Sequence, residues 1–270
     1  MKKIAENHTK SDSWYHLIDA IRGFALLNML LFHFFYDVFI IFGQDTGWYR
    51  YPAVRIWQQF ICITFLLVSG ISWHFSRNNL KRGIRLNLYG LLITVVTLLF
   101  MPSQTVWFGI LNCIGCATLL MIPLHKVFTS LARRLGSYKT VLGVGGLILA
   151  LFLFGLTRNV TDGYLILAWH PINLPDQLYT RPMTILGFPY IGFTSSDYFP
   201  ILPWFFLFLA GYFSWDVISS ITPILKVFRI KVPLLSPIGN KSIWIYLLHQ
   251  PLLYAIAYLL IQLGGINFHY

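Results

Sequence analysis

Four ionisable side chains, Asp19, Arg22, His33 and Asp37, lie inside one apolar stretch, IDAIRGFALLNMLLFHFFYD, at residues 18–37. Charged groups at the centre of a bilayer cost about 2.5–3.5 kcal/mol each on insertion scales, so four in one span call for more than packing. Their spacing aligns them. At roughly 100° per residue, the steps from Arg22 to His33 make three turns plus about 20°. Asp19 and Arg22 are i,i+3 neighbours, and His33 and Asp37 are i,i+4 neighbours. One polar stripe therefore runs along this helix, and it has to face protein or a wet cavity. An imidazole with a carboxylate one turn away is the arrangement of a general base, because Asp37 can fix the tautomer of His33 and raise its basicity. The same pair could instead hold two helices together. Arg22 carries a planar fork that suits phosphate oxygens, whereas paired with Asp19 it would be a local ion pair at the mouth of the helix. Gly23, beside it, admits another backbone at close range.

The surrounding chain must be a scaffold that holds such a stripe. It has 270 residues, of which 57% are hydrophobic, 17% aromatic and 11% charged. Soluble domains carry about 25% charge. The composition predicts an all-α fold, a polytopic membrane helix bundle forming a single domain over residues 1–270. Seven apolar segments, near 17–42, 55–76, 84–101, 106–124, 139–157, 199–217 and 241–263, approach or reach the length that a hydrocarbon core of about 30 Å requires. The first apolar run is longer than a signal-peptide core, carries charge and lacks a small-residue cleavage site, so it reads as a retained helix. Residues 1–16 form a tail and 158–198 the longest connection. Lys2, Lys3 and Lys10, the Arg77–Arg85 link, the stretch from Lys126 to Lys139 and the stretch from Lys226 to Lys241 fall on one side of the bundle; Arg50, Arg55, Arg158 and Arg181 fall on the other. Basic residues collect on the cytoplasmic side, which orients the N-terminus inward and the C-terminus outward. The same bias accounts for the net charge of +11 without nucleic acid, for which the chain has no soluble portion to build a surface.

Other polar groups fall into place around this frame. Arg77, Arg82 and Arg85, with Lys81, form the tightest inner cluster; topology alone predicts positive charge there, and one or two of them could bind phosphates. The loop at 158–198 contains His170 and Asp197 and shows no helical period, and loops of this length serve as lids or binding walls. In SSDYFPILPW, Ser196 or Asp197 is placed to cap the helix that follows, with Pro200 in its first turn, while Asp197 also lies on the outer face where an acceptor would arrive. His249 and Gln250 lie within the last span, ahead of Pro251, which frees a backbone carbonyl and so marks a kink or a site wall. Cys62, Cys113 and Cys116 all sit in apolar runs and read as small buried hydrophobes; no disulfide framework and no metal is expected, although CIGC at 113–116 has redox-motif spacing and leaves a metal or redox role as the alternative. No P-loop, GxGxxG, HExxH or G-x-S-x-G motif is present, which removes the common nucleotide, zinc-protease and serine-hydrolase readings.

Three motifs in order, IDAIRGFALLNMLLFHFFYD, SSDYFPILPW and IGNKSIWIYLLHQP, resemble bacterial relatives of heparan-alpha-glucosaminide N-acetyltransferase, in the transmembrane acyltransferase superfamily that also includes the acyltransferase-3 enzymes. The resemblance runs from residue 14 to about 262. It implies a membrane enzyme that takes an acetyl group from cytoplasmic acetyl-CoA and delivers it to a sugar or related acceptor on the far side. By that resemblance His33 takes the catalytic assignment, Asp37 matches the acid of the bacterial pattern, and His170 corresponds more loosely. The chain is shorter than the lysosomal members, with fewer spans and no large luminal domain, so the acceptor class stays open. On this reading Arg22, Arg77, Arg82 and Arg85 meet the phosphates of CoA, and His33 acts as base or transient acetyl carrier. His170, Asp197, His249 and Gln250 meet a small-molecule or glycan acceptor. A homodimer is left open. The alternative is a proton-coupled small-solute transporter using the same stripe as its ion path.

Overall fold

Each of the seven apolar segments is a helix in the computed structural model, which describes residues 15–43, 47–135 and 139–264. The calls on Lys2, Lys3 and Lys10 lie outside the described residues. In chain order the long helices are α1 (His16–Tyr36), α2 (Pro52–Ser72), α3 (Asn79–Phe100), α4 (Ile110–Leu135), α5 (Lys139–Thr157) and α6 (Ile201–Ser220). Two short helices follow, α7 (Thr222–Phe228) and α8 (Leu235–Asn240), and then α9 (Ser242–Gln262). A π-helical turn, Asp37–Phe42, prolongs α1. The basic link between spans six and seven is not plain loop. It contains α7 and α8, helices of 7 and 6 residues, too short to show a helical period in the sequence.

The chain divides into two compact units, Met1–Phe65 with Thr222–Tyr270, and Leu66–Ile221. In the first unit α1 is the axis. Its polar stripe faces protein, with Asp19 7% and Asp37 0% exposed, while Phe24, Leu31 and Phe35 form its open apolar side. Leu26, Met29 and Phe32 pack with Ile61 of α2 into a core that also takes Trp57 and Tyr246. Trp57 Nε1 donates to Asn28 Oδ1 across 3.0 Å. Where α1 meets α8 the two backbones touch. A Cβ on Gly239 would stand 1.7 Å from the carbonyl oxygen of Asp19, and one on Gly23 would stand 2.2 Å from that of Leu235.

The second unit follows the same rule. Lipid tails are as apolar as leucine, so membrane helices associate through close approach of small residues and through interhelical hydrogen bonds. The last turns of α2 lie against α6 through Gly70 and Gly211, whose added Cβ atoms would come within 2.0 Å of the Phe208 carbonyl and 2.1 Å of the Leu67 carbonyl. Between α3 and α4, Asn112 fills the space over Gly90 and Asn87 the space over Gly115. Asn112 Nδ2 also donates to the Asn87 carbonyl at 3.3 Å.

The long connection at 158–198 is built of tight turns around one antiparallel hairpin, β1 (Tyr164–Leu167) and β2 (His170–Asn173), with Leu167 opposite His170. The sequence reading missed this hairpin. Its tip is Ala168 and Trp169, at φ 47° and 70°, and a turn of that kind normally announces itself by Asn-Gly or Asp-Gly. The end of the connection is stitched to the start of α4. Phe199 N donates to the Phe108 carbonyl at 3.0 Å, Trp107 N to Ser195 Oγ at 2.9 Å, and Ile110 N to Asp197 Oδ2 at 3.5 Å. Asp197 therefore serves the N-terminus of α4; the first turn of α6, which follows it in sequence, has no side-chain cap. Burial pushes the Asp197 carboxyl up from the ordinary 3.8 to about 6, against the opposing pull of the Ile110 N–H.

Two predictions follow from these contacts. Gly239→Ala forces a methyl into the Asp19 carbonyl, and overpacking of this kind costs about 1–3 kcal/mol. It should lower the thermal midpoint of the protein in nanodiscs, whereas Gly145→Ala, with nothing within 4 Å of its Cβ, should not. Equal midpoints for the two variants would refute the close crossing. For Asp197, the folded pKa lies above the unfolded one, so the ionised form is the disfavoured one. The resulting cost is absent below pH about 4, grows as pH rises to about 6 and stays constant above that. Asp197→Asn should raise the midpoint at pH 7.5 and leave it unchanged near pH 4; a gain that is the same at both values would rule out titration of this carboxyl.

Candidate active site

Within the first unit, α1 and α9 bring four of the expected residues together. His33 and Asp37 project from α1, and His249 and Gln250 are consecutive on α9. The imidazoles of His33 and His249 lie edge to face, with centroids 4.8 Å apart and planes at 64°. Gln250 Nε2 donates to Asp37 Oδ1 at 2.7 Å. The carboxylate thus takes its hydrogen bond from the neighbouring helix, and no hydrogen bond or ion pair joins it to His33 among the described residues. Both α1 side chains point off the helix toward α9. A donor there satisfies a buried carboxylate better than an imidazole stacked above it on the same helix. Asp37 also opens the π-helical turn, a local irregularity that recurs at functional sites.

His249 has a defined protonation pattern. Its Nδ1 lies 2.5 Å from the Tyr246 carbonyl oxygen. A carbonyl only accepts, so Nδ1 carries the proton and Nε2 of the neutral ring is left as an acceptor. That Nε2, together with Asp37 Oδ2 and Gln250 Oε1, is buried without a hydrogen-bond partner among the described residues. With Gln250 Nε2 committed to Asp37, Gln250 Oε1 and His249 Nε2 are acceptors, and so is Asp37 Oδ2 in its carboxylate form. A buried polar atom left unsatisfied costs about 1–3 kcal/mol, so three together are expensive unless something with O–H or N–H groups meets them. Tyr246 is the contributor that the sequence reading passed over; its i−3 spacing from His249 was the available signal, since polar side chains on helices bond back to carbonyls at that distance.

The remaining candidates are distributed otherwise. Arg22 is held at the α1–α8 crossing, donating through Nη1 to Asp19 Oδ1 at 2.6 Å and to the Gly239 carbonyl at 3.5 Å. This is the local ion pair allowed for in the sequence, with a second acceptor supplied by α8. Arg77, Arg82 and Arg85 belong to the second unit. Arg82 turns inward and donates to the Ser72 carbonyl at 3.1 Å. Arg85, with Lys81, Ile84 and Leu88, lines a shallow groove of about 350 Å³. His170 is exposed on β2, and Asp197 is occupied at the start of α4. In the same unit His125 Nδ1 lies 2.7 Å from the Tyr212 hydroxyl, and the ring of His74, in the turn just past α2, stacks on Tyr212 at 4.3 Å, which ties that turn, α4 and α6 together.

A family model described as heparan-alpha-glucosaminide N-acetyltransferase, catalytic, matches residues 15–251. No curated protein and no solved structure matches the chain. The matched segment begins with α1 and closes just past His249 and Gln250, so it contains both halves of the imidazole–carboxylate arrangement. On that match, which covers well over half of its length, the chain belongs to the heparan-alpha-glucosaminide N-acetyltransferase catalytic family, a family of membrane acetyltransferases.

Proposed function

We propose that the protein transfers an acetyl group from cytoplasmic acetyl-CoA to a hydroxyl or amine of a small-molecule or glycan acceptor on the other face of a bacterial plasma membrane, with His33 as general base. The observation that carries this reading is the contact between His33 and His249 beside three buried acceptors that lack donors. Such a lining suits a substrate that brings O–H or N–H groups. Acetyl-CoA, when bound, supplies an acetyl carbonyl already activated as a thioester. His33 takes the proton from the attacking hydroxyl or amine as the new C–O or C–N bond forms and the C–S bond breaks. It then returns that proton to the leaving sulfur, so the imidazole ends neutral. His249 Nε2, Asp37 Oδ2 and Gln250 Oε1 accept from the remaining donors of the acceptor and hold it in place. Arg22 binds a phosphate oxygen of the CoA in exchange for its 3.5 Å bond to the Gly239 carbonyl, with the 2.6 Å bond to Asp19 retained. The family match supports a transferase rather than the carrier considered from the sequence.

Loss of a general base costs about 10²–10⁴-fold in rate. His33→Ala should therefore lower kcat by that amount in nanodiscs supplied with labelled acetyl-CoA and an acceptor panel, with insertion and thermal midpoint kept. Transfer at the unsubstituted rate would remove His33 from the mechanism. Acetyl-CoA alone should raise the thermal midpoint of the unsubstituted protein; a ligand at a hundred times its Kd stabilises by about 2.7 kcal/mol. No shift at millimolar acetyl-CoA, or solute flux in liposomes without thioester consumption, would overturn the transferase reading.

A further inference from the structure

The β1–β2 hairpin has a composition that water does not suit. From Gly163 to Pro175 the chain reads GYLILAWHPINLP, without one Asp, Glu, Lys or Arg. Trp169 at the tip is 95% exposed, and Leu167 and Ile172 are 45% and 46% exposed. Leu165, Leu167, His170 and Ile172 share one face, and Tyr164, Ile166, Pro171 and Asn173 the other, so each face of this two-stranded ribbon is largely apolar. A hairpin open to water on one side ordinarily alternates apolar and polar residues, and exposed edges are guarded by charge, lysine above all. Neither safeguard is present here.

Its position supplies a partner. The preceding membrane span ends at Asp162, two residues before β1 begins, and β1 packs back against α5. The Leu174 N–H closes the base of the hairpin on the Gly163 carbonyl at 2.8 Å. A strand of this length rises about 13 Å, so the whole ribbon stays close to the end of a transmembrane helix. The polar layer on each side of the hydrocarbon is about 5–7 Å deep. Tryptophan favours that layer, where its ring is partly buried and its N–H stays wet. The unpaired edges of the ribbon need water or headgroups as partners, which excludes the hydrocarbon itself.

We infer that the β1–β2 hairpin is an interfacial anchor, which lays Leu167, Trp169 and Ile172 into the headgroup layer of the bilayer next to α5. The partner is a lipid surface. The absence of charge on the ribbon means that its binding does not depend on anionic lipid.

The test uses the full chain in nanodiscs with Ala168→Cys at the tip, labelled with an environment-sensitive fluorophore, and the unsubstituted chain treated in parallel for background from its own cysteines. Lipid carrying a spin label high on its acyl chain should quench the tip label, aqueous iodide should quench it weakly, and replacing zwitterionic with anionic lipid should change neither. Strong iodide quenching without lipid quenching places the tip in water and overturns the inference. Energy transfer between tip labels on separate copies in one nanodisc, without lipid quenching, assigns the ribbon to self-association and overturns it too. A measurement on the unmodified protein guards against a disturbed variant: amide hydrogen exchange over residues 164–173 should slow on passing from a small detergent micelle to a nanodisc, and equal rates in both would count against the anchor.

Discussion

Asp37 has to be satisfied inside the protein, and much of the first unit follows from that. Its side chain is wholly buried on a helix whose opposite side is open and apolar. A carboxylate there cannot face hydrocarbon, so another helix must deliver a donor at the same depth. Gln250 of α9 is that donor. Once Gln250 is fixed, the rotation of α9 is fixed as well, and the preceding residue, His249, is brought against His33. Pro251 follows at once and has no N–H to offer the Leu247 carbonyl, while the His249 ring bonds to the Tyr246 carbonyl in the same turn. One buried hydrogen bond thus sets the register between α1 and α9 and, through it, the orientation of two imidazoles.

The other end of α1 is set by shape. Gly23 and Gly239 let the backbones of α1 and α8 meet with no side chain between them, and the Arg22 guanidinium closes over that crossing onto Asp19 and the Gly239 carbonyl. Between the two fixed points Leu26, Met29 and Phe32 fill the core. A helix pinned at its start by steric fit and at its end by a hydrogen bond has little freedom to slide or turn. Catalysis needs this kind of fixity, because a displacement of about 1 Å in a reacting group can cost a hundredfold in rate.

What the sequence disclosed and what it withheld divide along physical lines. The seven spans were legible because twenty apolar residues in a row have one structural use. The stripe of Asp19, Arg22, His33 and Asp37 was legible because helical periodicity places those residues on one side regardless of what surrounds them. Partners were not legible. Asp37 reads locally as the companion of His33, yet its donor lies 213 residues away. Asp197 reads as a cap for the helix beside it and instead serves α4, 87 residues back. The hairpin escaped because Ala168 and Trp169 adopt a left-handed turn without the glycine or asparagine that normally marks one. Periodicity is a property of one element, whereas these contacts are properties of the fold.

The way the polar groups are committed also bears on which chemistry the site suits. A proton carrier must let charge enter and leave a group as it works, and its rings have to exchange partners. Here Asp37 Oδ1 is held by the Gln250 amide of the neighbouring helix, and His249 is tied to one tautomer by a carbonyl that can only accept. Asp37 is therefore fixed in orientation and His249 in tautomer. The lone pairs left over, on Asp37 Oδ2, Gln250 Oε1 and His249 Nε2, form a lining of acceptors beside His33. A lining of that kind presents fixed dipoles to a donor-bearing guest and reorganises little when the guest reacts, which is how preorganised sites lower a barrier. In the mechanism we propose, a hydroxyl or amine gives up one proton to His33 while its neighbouring donors stay bound, so the same atoms that hold the guest keep it aligned through the transfer.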